Sequence, residues 1–364
     1  MVTEGTHRLP AVPVSQMSHS ISIRKLAPSD EASPFVSHDP RFAAVLGDAA
    51  RLIKVAEVDA HEGPVYAADE DALYFTTLPR PGTSPAQGDP QVAIKRLALD
   101  GLRFPLGPER ISVLRGSANA ANGMALDLDG TLVVCEQGTP SDHARISRID
   151  RAGGDVETVV DEWRALRLNS PNDVVVRSDG AIWFTDPSYG HLQGFKPQAQ
   201  VGDFVYRHDG ATGRLSVVAD SFDKPNGLAF SPDEQILYVT DSGANQEAGS
   251  YYVDRPHHIM ACDVADGRRL VNPRLFAVVT PGFPDGLKVD SDGRVYASSF
   301  SGVQVFDPLG EHLGEITLPG TVNFAFGGPD RNVLFITTDT SIWAAVLNAV
   351  APPPPERPVQ LKGA

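Results

Sequence analysis

The chain is poor in cysteine and has no long apolar runs. Cys135 and Cys262 are the two cysteines in 364 residues, and both fall in apparent strands. Two buried thiols of a reduced compartment are therefore a simpler interpretation than a disulfide. No run approaches the length of a transmembrane helix, and residues 1–30 lack the apolar core of a signal peptide. These features predict a soluble, cytoplasmic protein with no membrane partner.

Positive charge is also scarce. Lys and Arg number 31 against 46 Asp and Glu, which gives a net charge of −15. Binding to a nucleic-acid backbone depends on a basic surface, so no nucleic-acid partner is expected. The hydrophobic fraction of 41% is ordinary for a globular protein that buries a sizeable core.

Several catalytic motifs are missing. The chain has no Gly-x-Ser-x-Gly, His-Glu-x-x-His or Cys-x-x-Cys segment, so serine-hydrolase and zincin interpretations lack support. Residues 124–133 imitate the nucleophile motif of haloacid-dehalogenase phosphatases. That chemistry needs an α/β sheet, whereas the same register recurs at 177–180 and 289–294 as a hairpin turn. A phosphatase is therefore not expected.

A repeat is the dominant feature of the sequence. A polar residue, a short apolar strand, an Asp-Gly-type turn and a second apolar strand follow each other in segments starting at Asn122, Asn172, Asn226 and Asp285. Looser copies begin at Glu62 and Asn323, which makes six. Repeats of this period indicate a radial or stacked architecture.

Two further strand-like runs usually follow each copy, and helical periodicity is scarce. The sequence thus predicts an all-β fold: a six-bladed β-propeller with four-stranded antiparallel blades. The last blade is one strand short, with 341–347 as its third strand. Residues 50–56 are predicted to supply the missing strand and so to close the ring with an N-terminal strand.

Three segments are predicted along the chain. Residues 1–30 form a flexible N-terminal segment, 31–350 the propeller domain, and 351–364 a Pro-rich C-terminal tail. Within the propeller, connections 187–201 and 242–256 are long and lie on the face opposite the hairpin turns. Function is usually carried by such loops, so this face is predicted to hold the site.

The residues that open the repeats begin innermost strands, which converge on the propeller axis. Glu62, Asn172, Asn226 and Asp285 would bring two carboxylates and two amide oxygens together at the channel mouth. This all-oxygen set suits Ca²⁺ best and Mg²⁺ or Mn²⁺ next, and it disfavours a zinc site of the usual nitrogen and sulfur type. The alternative is that Asn-Gly and Asp-Gly simply make turns.

Six phrases carry a resemblance to a known family: those that begin at Glu62, Ser170, Trp183, Lys224, Pro284 and Phe326. With them the chain resembles the gluconolactonase, senescence marker protein (regucalcin) and luciferin-regenerating enzyme superfamily over residues 35–347. The resemblance implies a six-bladed propeller with one divalent cation at the channel top, Ca²⁺ first and Mg²⁺, Mn²⁺ or Zn²⁺ as alternatives.

The resemblance also assigns residues. The family's metal-ligand positions match Glu62, Asn226 and Asp285, and Asn172 matches a position that touches substrate or metal. Animal members carry Arg where this chain has Ser170, and many bacterial relatives carry His where it has Gln137. The resemblance therefore predicts the fold and the metal site more firmly than it predicts the substrate.

The predicted function is that of a metal-dependent hydrolase that opens a lactone ring. The cation would polarise the carbonyl, and a carboxylate would accept the proton of the attacking water. Asp285 is the first choice for this base and Glu62 the second. Asp186 and Asp241 are reserves, although a strand-end cap is their simpler role.

Candidate substrate-binding residues surround the same mouth: Asn122, Asn172, Tyr189, His191 and His257. Each has a simpler structural interpretation, since such histidines are more often solvated or packed and Tyr189 could serve loop packing. His258 and Asn323 are weaker candidates. The expected partner is a small-molecule lactone, and the protein is expected to be a monomer or homodimer.

Two alternative functions remain open. The same site could hydrolyse organophosphates or aryl esters. A non-catalytic ligand-binding propeller with a structural metal is also compatible with the repeat. A panel of lactones, together with metal titration, separates these possibilities.

Overall fold

The computed structural model describes residues 33–80, 89–101 and 103–354. Over these ranges, six antiparallel sheets follow one another along the chain, and their innermost strands contact each other in a closed ring. The predicted six-bladed β-propeller is confirmed. Residues 1–30 and 355–364 lie outside the described ranges, so the predicted domain boundaries stay predictions.

The first two blades follow a short N-terminal segment. That segment contains strand β1 (Phe35–Ser37), helix α1 (Phe42–Leu46) and strand β2 (Arg51–Glu57). Blade 1 contains β3 (Val65–Ala67), β4 (Ala72–Thr76), β5 (Ile94–Ala98) and β6 (Ile111–Arg115), with a 3₁₀ turn at Pro108–Arg110. Blade 2 contains β7 (Ala121–Leu126), β8 (Leu132–Glu136), β9 (Arg145–Ile149) and β10 (Val156–Val160), and a small hairpin of β11 (Glu162–Trp163) and β12 (Leu166–Arg167) follows it.

The other four blades repeat this order. Blade 3 contains β13 (Val174–Val176), β14 (Ile182–Asp186), helix α2 (Tyr189–Leu192), β15 (Phe204–Asp209) and β16 (Arg214–Ala219). Blade 4 contains β17 (Pro225–Phe230), β18 (Ile236–Asp241), β19 (His258–Ala265) and β20 (Arg269–Val278). Blade 5 contains β21 (Leu287–Val289), β22 (Val295–Ser298), β23 (Gly302–Phe306) and β24 (His312–Thr317), and blade 6 contains β25 (Phe324–Gly327), β26 (Val333–Thr337) and β27 (Ser341–Val346).

The N-terminal segment closes the ring. Strand β2 pairs antiparallel with β27, so that Arg51 faces Val346, and it becomes the outermost strand of blade 6. This confirms the predicted closure, in which the two ends of the domain pair within one sheet. The short strand β1 was not foreseen: it pairs with β24 as a fifth strand of blade 5.

Apolar layers between the blades form the core. Trp183, Phe184 and Tyr206 are fully buried, as expected where two faces of adjoining sheets pack together. Cys135 and Cys262 are buried free thiols, as predicted. No helix within the described ranges has the length and apolarity needed to cross a membrane.

The propeller has two unlike faces. The hairpin turns between first and second strands lie on one face, where Gly130, Gly180 and Gly293 take φ values of 79° to 90°. The opposite face carries the starts of the innermost strands and the two long connections, from β14 to β15 and from β18 to β19. We call this face the channel mouth.

Candidate active site

Residues that open the repeats line the channel mouth. Glu62, Asn172 and Asn226 are buried, with 3%, 6% and 3% of their surface exposed, whereas Asp285 is partly exposed. Asn226 lies in β17, and the other three lie two or three residues before β3, β13 and β21, the inner strands of blades 1, 3 and 5. These inner strands are linked in the closed ring. Four distant stretches of sequence are thereby carried to one end of the channel.

Glycines of the repeat let neighbouring blades approach closely. A Cβ atom on Gly63 would lie 2.4 Å from the carbonyl oxygen of Asn122, and one on Gly227 would lie 2.2 Å from that of Asp285. Gly123 and Gly286 pack in the same way against the next blade. Only Gly63 among these four has positive φ. Turn formation therefore does not explain most Asn-Gly and Asp-Gly pairs, whereas close packing of the blades does.

Threonines on the second strands anchor the same carbonyl groups. The Oγ1 of Thr185 donates to the carbonyl of Asn226 at 2.8 Å, and Thr240 donates to that of Asp285 at 3.2 Å. Each threonine thus reaches across to the site residue of the next blade. Sequence reasoning overlooked these positions, although a threonine directly precedes Asp186 and Asp241 in the chain.

Glu62 is held by two hydrogen bonds. Its Oε2 accepts one from Nδ2 of Asn323 at 2.7 Å and one from the backbone N–H of Gly63 at 3.1 Å. Burial raises the pKa of Glu62, and the charge of Asp285 raises it further. The two carboxylates are therefore close enough to repel each other, although they come from blades 1 and 5. Asn323, a weak candidate in the sequence, is the residue that orients Glu62.

Asp285 is fixed by its neighbours on both sides. Its backbone N–H donates to Oγ of Ser298 at 2.9 Å. Burial raises the pKa of its carboxyl group, the charge of Asp173 adds to this, and a hydrogen bond from the Asn226 side chain opposes it. The structure thus brings Asn226 and Asp285 into direct contact and Glu62 into their electrostatic range.

The arrangement fits a hard divalent cation. Glu62 and Asp285 form no salt bridge with any Lys or Arg in the described ranges, so a cation between them would offset their repulsion. No three His, Cys, Asp or Glu side chains in those ranges are grouped as a ligand set. Amide oxygens would have to complete the shell, which suits Ca²⁺ or Mg²⁺ better than Zn²⁺.

Two buried polar atoms near the site have no hydrogen-bond partner among the described residues. One is Oδ1 of Asn122, the predicted substrate contact of blade 2. The other is Oδ2 of Asp173, a residue that sequence reasoning missed. Asp173 occupies the repeat position that is glycine in four other blades. This departure from the repeat could have identified Asp173 as a candidate from the sequence. Burial raises the pKa of Asp173, and the charge of Lys288 lowers it.

Tyr189 lies beside the site. Its side chain is buried, its hydroxyl is 3.5 Å from the carbonyl oxygen of Ser242, and burial together with the charge of Asp285 raises its pKa. His191 is exposed at the end of α2. His257 is half-buried, with Nδ1 2.9 Å from the carbonyl oxygen of Arg255. Of these three predicted contacts, Tyr189 has the clearest link to Asp285.

Asp186 and Asp241 are strand-end caps. Asp186 accepts the backbone N–H groups of Asn169 and Ser170 at 2.9 and 2.7 Å. Asp241 accepts those of Asp223 and Lys224, both at 2.9 Å. These bonds fix the chain just before the inner strands of blades 3 and 4. The simpler role considered for both residues is therefore the one that the structure shows.

The weak candidate His258 belongs to a different cavity. Together with Asp241 and Cys262 it lines a space of about 230 Å³ between blades 3 and 4. Neither Glu62 nor Asp285 lines that cavity.

Residues 60–340 match the family model described as the SMP-30/Gluconolactonase/LRE-like region. The chain belongs to the SMP-30/gluconolactonase/LRE-like family. It is 31% identical over 317 residues to the gluconolactonase of Zymomonas mobilis, and the match covers 83% of each chain. The solved structure of a gluconolactonase from Xanthomonas campestris is 34% identical, with a TM-score of 0.71, and the match covers 89% of this chain and 99% of that one. A calcium-binding protein, regucalcin, from Agrobacterium tumefaciens shares the fold at 16% identity and a TM-score of 0.59, over 83% and 99% of the two chains.

This family member uses Ser170 to support the mouth. The Oγ of Ser170 accepts the backbone N–H of Gly190 at 2.7 Å, which ties helix α2 to the start of blade 3. Nζ of Lys196 donates to the carbonyl oxygen of Gln137 at 2.8 Å and so fastens the same connection to blade 2. The Ser170 side chain and the backbone carbonyl of Gln137 therefore both help to hold the long connection of blade 3.

Proposed function

We propose that this family member is a metal-dependent hydrolase that opens lactone rings. One divalent cation, Ca²⁺ first, would be held by Glu62, Asn172, Asn226 and Asp285. The observation that carries the proposal is the pair of carboxylates, Glu62 and Asp285, brought together at the channel mouth. Neither forms a salt bridge with a Lys or Arg in the described ranges, and the charge of His61 offsets part of the repulsion at Glu62. Similarity to gluconolactonases across most of the chain supports lactones as the substrate class.

The two carboxylates have unequal access to water. Glu62 is 3% exposed and already accepts hydrogen bonds from Asn323 and Gly63, so it is suited to hold a ligand rather than to move a proton. Asp285 is partly exposed and can reach a water molecule at the mouth. We therefore assign the general-base role to Asp285.

The bound cation would supply polarisation of the lactone carbonyl and stabilisation of the oxyanion. Asp285 takes a proton from water while the water oxygen bonds to the carbonyl carbon. The ring C–O bond then breaks, and the proton passes from Asp285 to the ring oxygen that leaves. The product is a hydroxy acid, and the carboxylate of Asp285 is restored.

Substrate contacts follow from the same geometry. Asn122 would offer its unpartnered Oδ1 to a hydroxyl group of the substrate, because a buried acceptor without a donor is costly. Tyr189 would wall the pocket beside Asp285. His191 and His257 remain candidates at the rim of the mouth.

The test joins metal binding to turnover. Thermal unfolding is followed with EDTA and with added Ca²⁺, and proton release is followed with glucono-, pantoyl- and homoserine-type lactones. Asp285→Asn should lose turnover and weaken metal binding. Asp292→Asn is the matched control, since Asp292 lies in the hairpin turn of the same blade on the opposite face and pairs with Arg294.

Other outcomes separate the alternatives. Metal binding without turnover of any lactone or ester would support the alternative of a non-catalytic, ligand-binding propeller. Turnover of aryl esters or organophosphates but not of lactones would move the proposal to that class. Full turnover by Asp285→Asn would show that the base is another residue.

A further inference from the structure

Three aromatic rings cluster at the channel mouth next to Asp285. The ring centroids of Phe283 and Phe300 are 5.3 Å apart, and that of Tyr251 lies 5.4 Å from Phe300 and 6.4 Å from Phe283. All three side chains are partly exposed, although such large apolar groups are normally buried. We call Tyr251, Phe283 and Phe300 the aromatic wall.

The aromatic wall is held in place by its backbone. Gly282 has φ of 92° and packs against the ring of Phe300. The contact is so close that a Cβ atom on Gly282 would lie 2.4 Å from Cγ of that ring. The backbone N–H of Phe300 donates to the carbonyl of Pro281 at 3.1 Å. Next to Tyr251, the N–H of Tyr252 donates to the carbonyl of Ala244 at 2.8 Å. These contacts fix the backbone beside Phe300 and Tyr251, so a ligand meets segments that are already ordered, which favours binding.

The wall is attached directly to the proposed base. Phe283 precedes Asp285 by two residues, and Phe300 follows Ser298 by two residues. Asp285 and Ser298 are themselves joined by the hydrogen bond at 2.9 Å. Two residues span at most about 7 Å of chain, so the Cα of Phe283 lies within about 7 Å of that of Asp285, and the Cα of Phe300 lies within the same distance of that of Ser298. Both rings are therefore attached to the two segments that hold Asp285 in place.

Each ring comes from a different connection. Tyr251 lies in the connection from β18 to β19, Phe283 between blades 4 and 5, and Phe300 between β22 and β23. A core function would bury such rings fully, as it does Phe184 and Tyr206. Their partial exposure at the mouth instead leaves apolar surface available to a ligand, and the hydroxyl of Tyr251 is the one polar atom among the three side chains.

We propose that the aromatic wall selects a lactone that carries an apolar substituent, an alkyl chain or an aryl group, on its ring. The inference rests on the proposed function for the ring-opening step. The wall binds the substituent by removing apolar surface from water, and it sets the ring against Asp285. Tyr251, Phe283 and Phe300 are specificity-determining residues in this scheme.

The first arm of the test measures turnover by the Ca²⁺-loaded protein. The substrates are γ-lactones with side chains of zero to five carbons, together with D-glucono-1,5-lactone. Each methylene buried on the wall should raise kcat/KM by about fourfold until the rings are covered. In Phe300→Ala and Tyr251→Ala, kcat/KM should no longer rise with side-chain length, and turnover of glucono-lactone should change far less. Tyr252→Ala is the control: Tyr252 is the next residue in the chain, is exposed, and stacks with Arg255 outside the wall.

The second arm measures binding without turnover. Isothermal titration of 5-alkyl-2-pyrrolidinones, the γ-lactam analogues, should show affinity that rises with chain length in the wild type and in Tyr252→Ala but not in Phe300→Ala. If the wild type opens glucono-lactone but neither its kcat/KM for γ-lactones nor its affinity for γ-lactams rises with chain length, the inference is overturned and the proposed function stands. If no lactone is opened but lactam binding still depends on chain length, the proposed function fails and the aromatic wall is supported.

Discussion

Replacing Glu62 with Gln should separate the energetic effect of the cation from that of the fold. Gln has the shape of Glu, and its side-chain oxygen can still accept the hydrogen bond from Asn323. The substitution therefore removes the ability of this side chain to ionise and little else. In metal-free protein, burial and the charge of Asp285 disfavour the ionised form of Glu62, so the folded state must hold a proton there that the unfolded chain releases. The neutral Gln avoids this cost and should raise stability.

The size of the effect follows from the shifted pKa. The pKa of Glu62 is raised from 4.5 to about 8 in the folded protein. An acid shifted in this direction reduces folding stability as pH rises from its unfolded pKa to its folded pKa. At pH 7 the cost is at most about 3 kcal/mol, and its removal corresponds to a rise in Tm of roughly 5 °C for a domain of this size.

Added Ca²⁺ should remove most of this difference in stability. A cation at a hundred times its Kd stabilises the folded state by about 2.7 kcal/mol, and Glu62→Gln loses most of this gain because it removes a ligand charge. Differential scanning calorimetry in EDTA and in Ca²⁺ measures both effects. Glu57→Gln on the exposed part of β2 is the control and should shift neither value. A Glu62→Gln variant less stable than wild type in EDTA, or equally stabilised by Ca²⁺, would refute the reasoning.

Three further predictions concern the architecture around the site. Thr185→Val leaves the buried carbonyl of Asn226 without its 2.8 Å donor and should cost about 1–3 kcal/mol of unfolding free energy in denaturant titrations, with weaker Ca²⁺ binding. Gly123→Ala should destabilise the protein severely, because its Cβ would lie 2.5 Å from the carbonyl oxygen of Asn172, whereas Gly116→Ala, with open space around it, should leave Tm unchanged. The raised pKa values of Glu62, about 8, and of Asp285, about 7, mean that protons compete with the cation. Ca²⁺ affinity measured by calorimetry should therefore fall as pH drops below about 8, by up to tenfold per pH unit for each proton displaced.

The sequence was sufficient to predict the repeat architecture. The alternation of short apolar strands and Asp-Gly turns recurs six times, and a strand missing at one end is matched by an extra one, β2, at the other. Because these signals are local and periodic, they identify blades without knowledge of distant contacts. The same reasoning failed for β1, whose three residues carry no pattern and depend on the exposed edge of β24.

The site was predicted only in part. The repeat marks equivalent positions and so singled out Glu62, Asn226 and Asp285, which the structure places at the channel mouth; their roles stay predictions. Asp173 was not, since it stands where other blades have glycine. The roles of Asn323 and the strand-end threonines also require knowledge of which blade follows which in space.

The sequence by itself determined the set of six equivalent polar positions and the face on which they lie. A periodic pattern depends only on residues that are close together in the chain. What only the tertiary structure decided was which of those positions meet. Packing of each inner-strand glycine against the next blade sets how near the axis the carboxylates come, and that distance depends on all six blades closing together. Repulsion between Glu62 and Asp285, and the exposure of the aromatic wall beside them, arise from this closure and from no single segment of the chain.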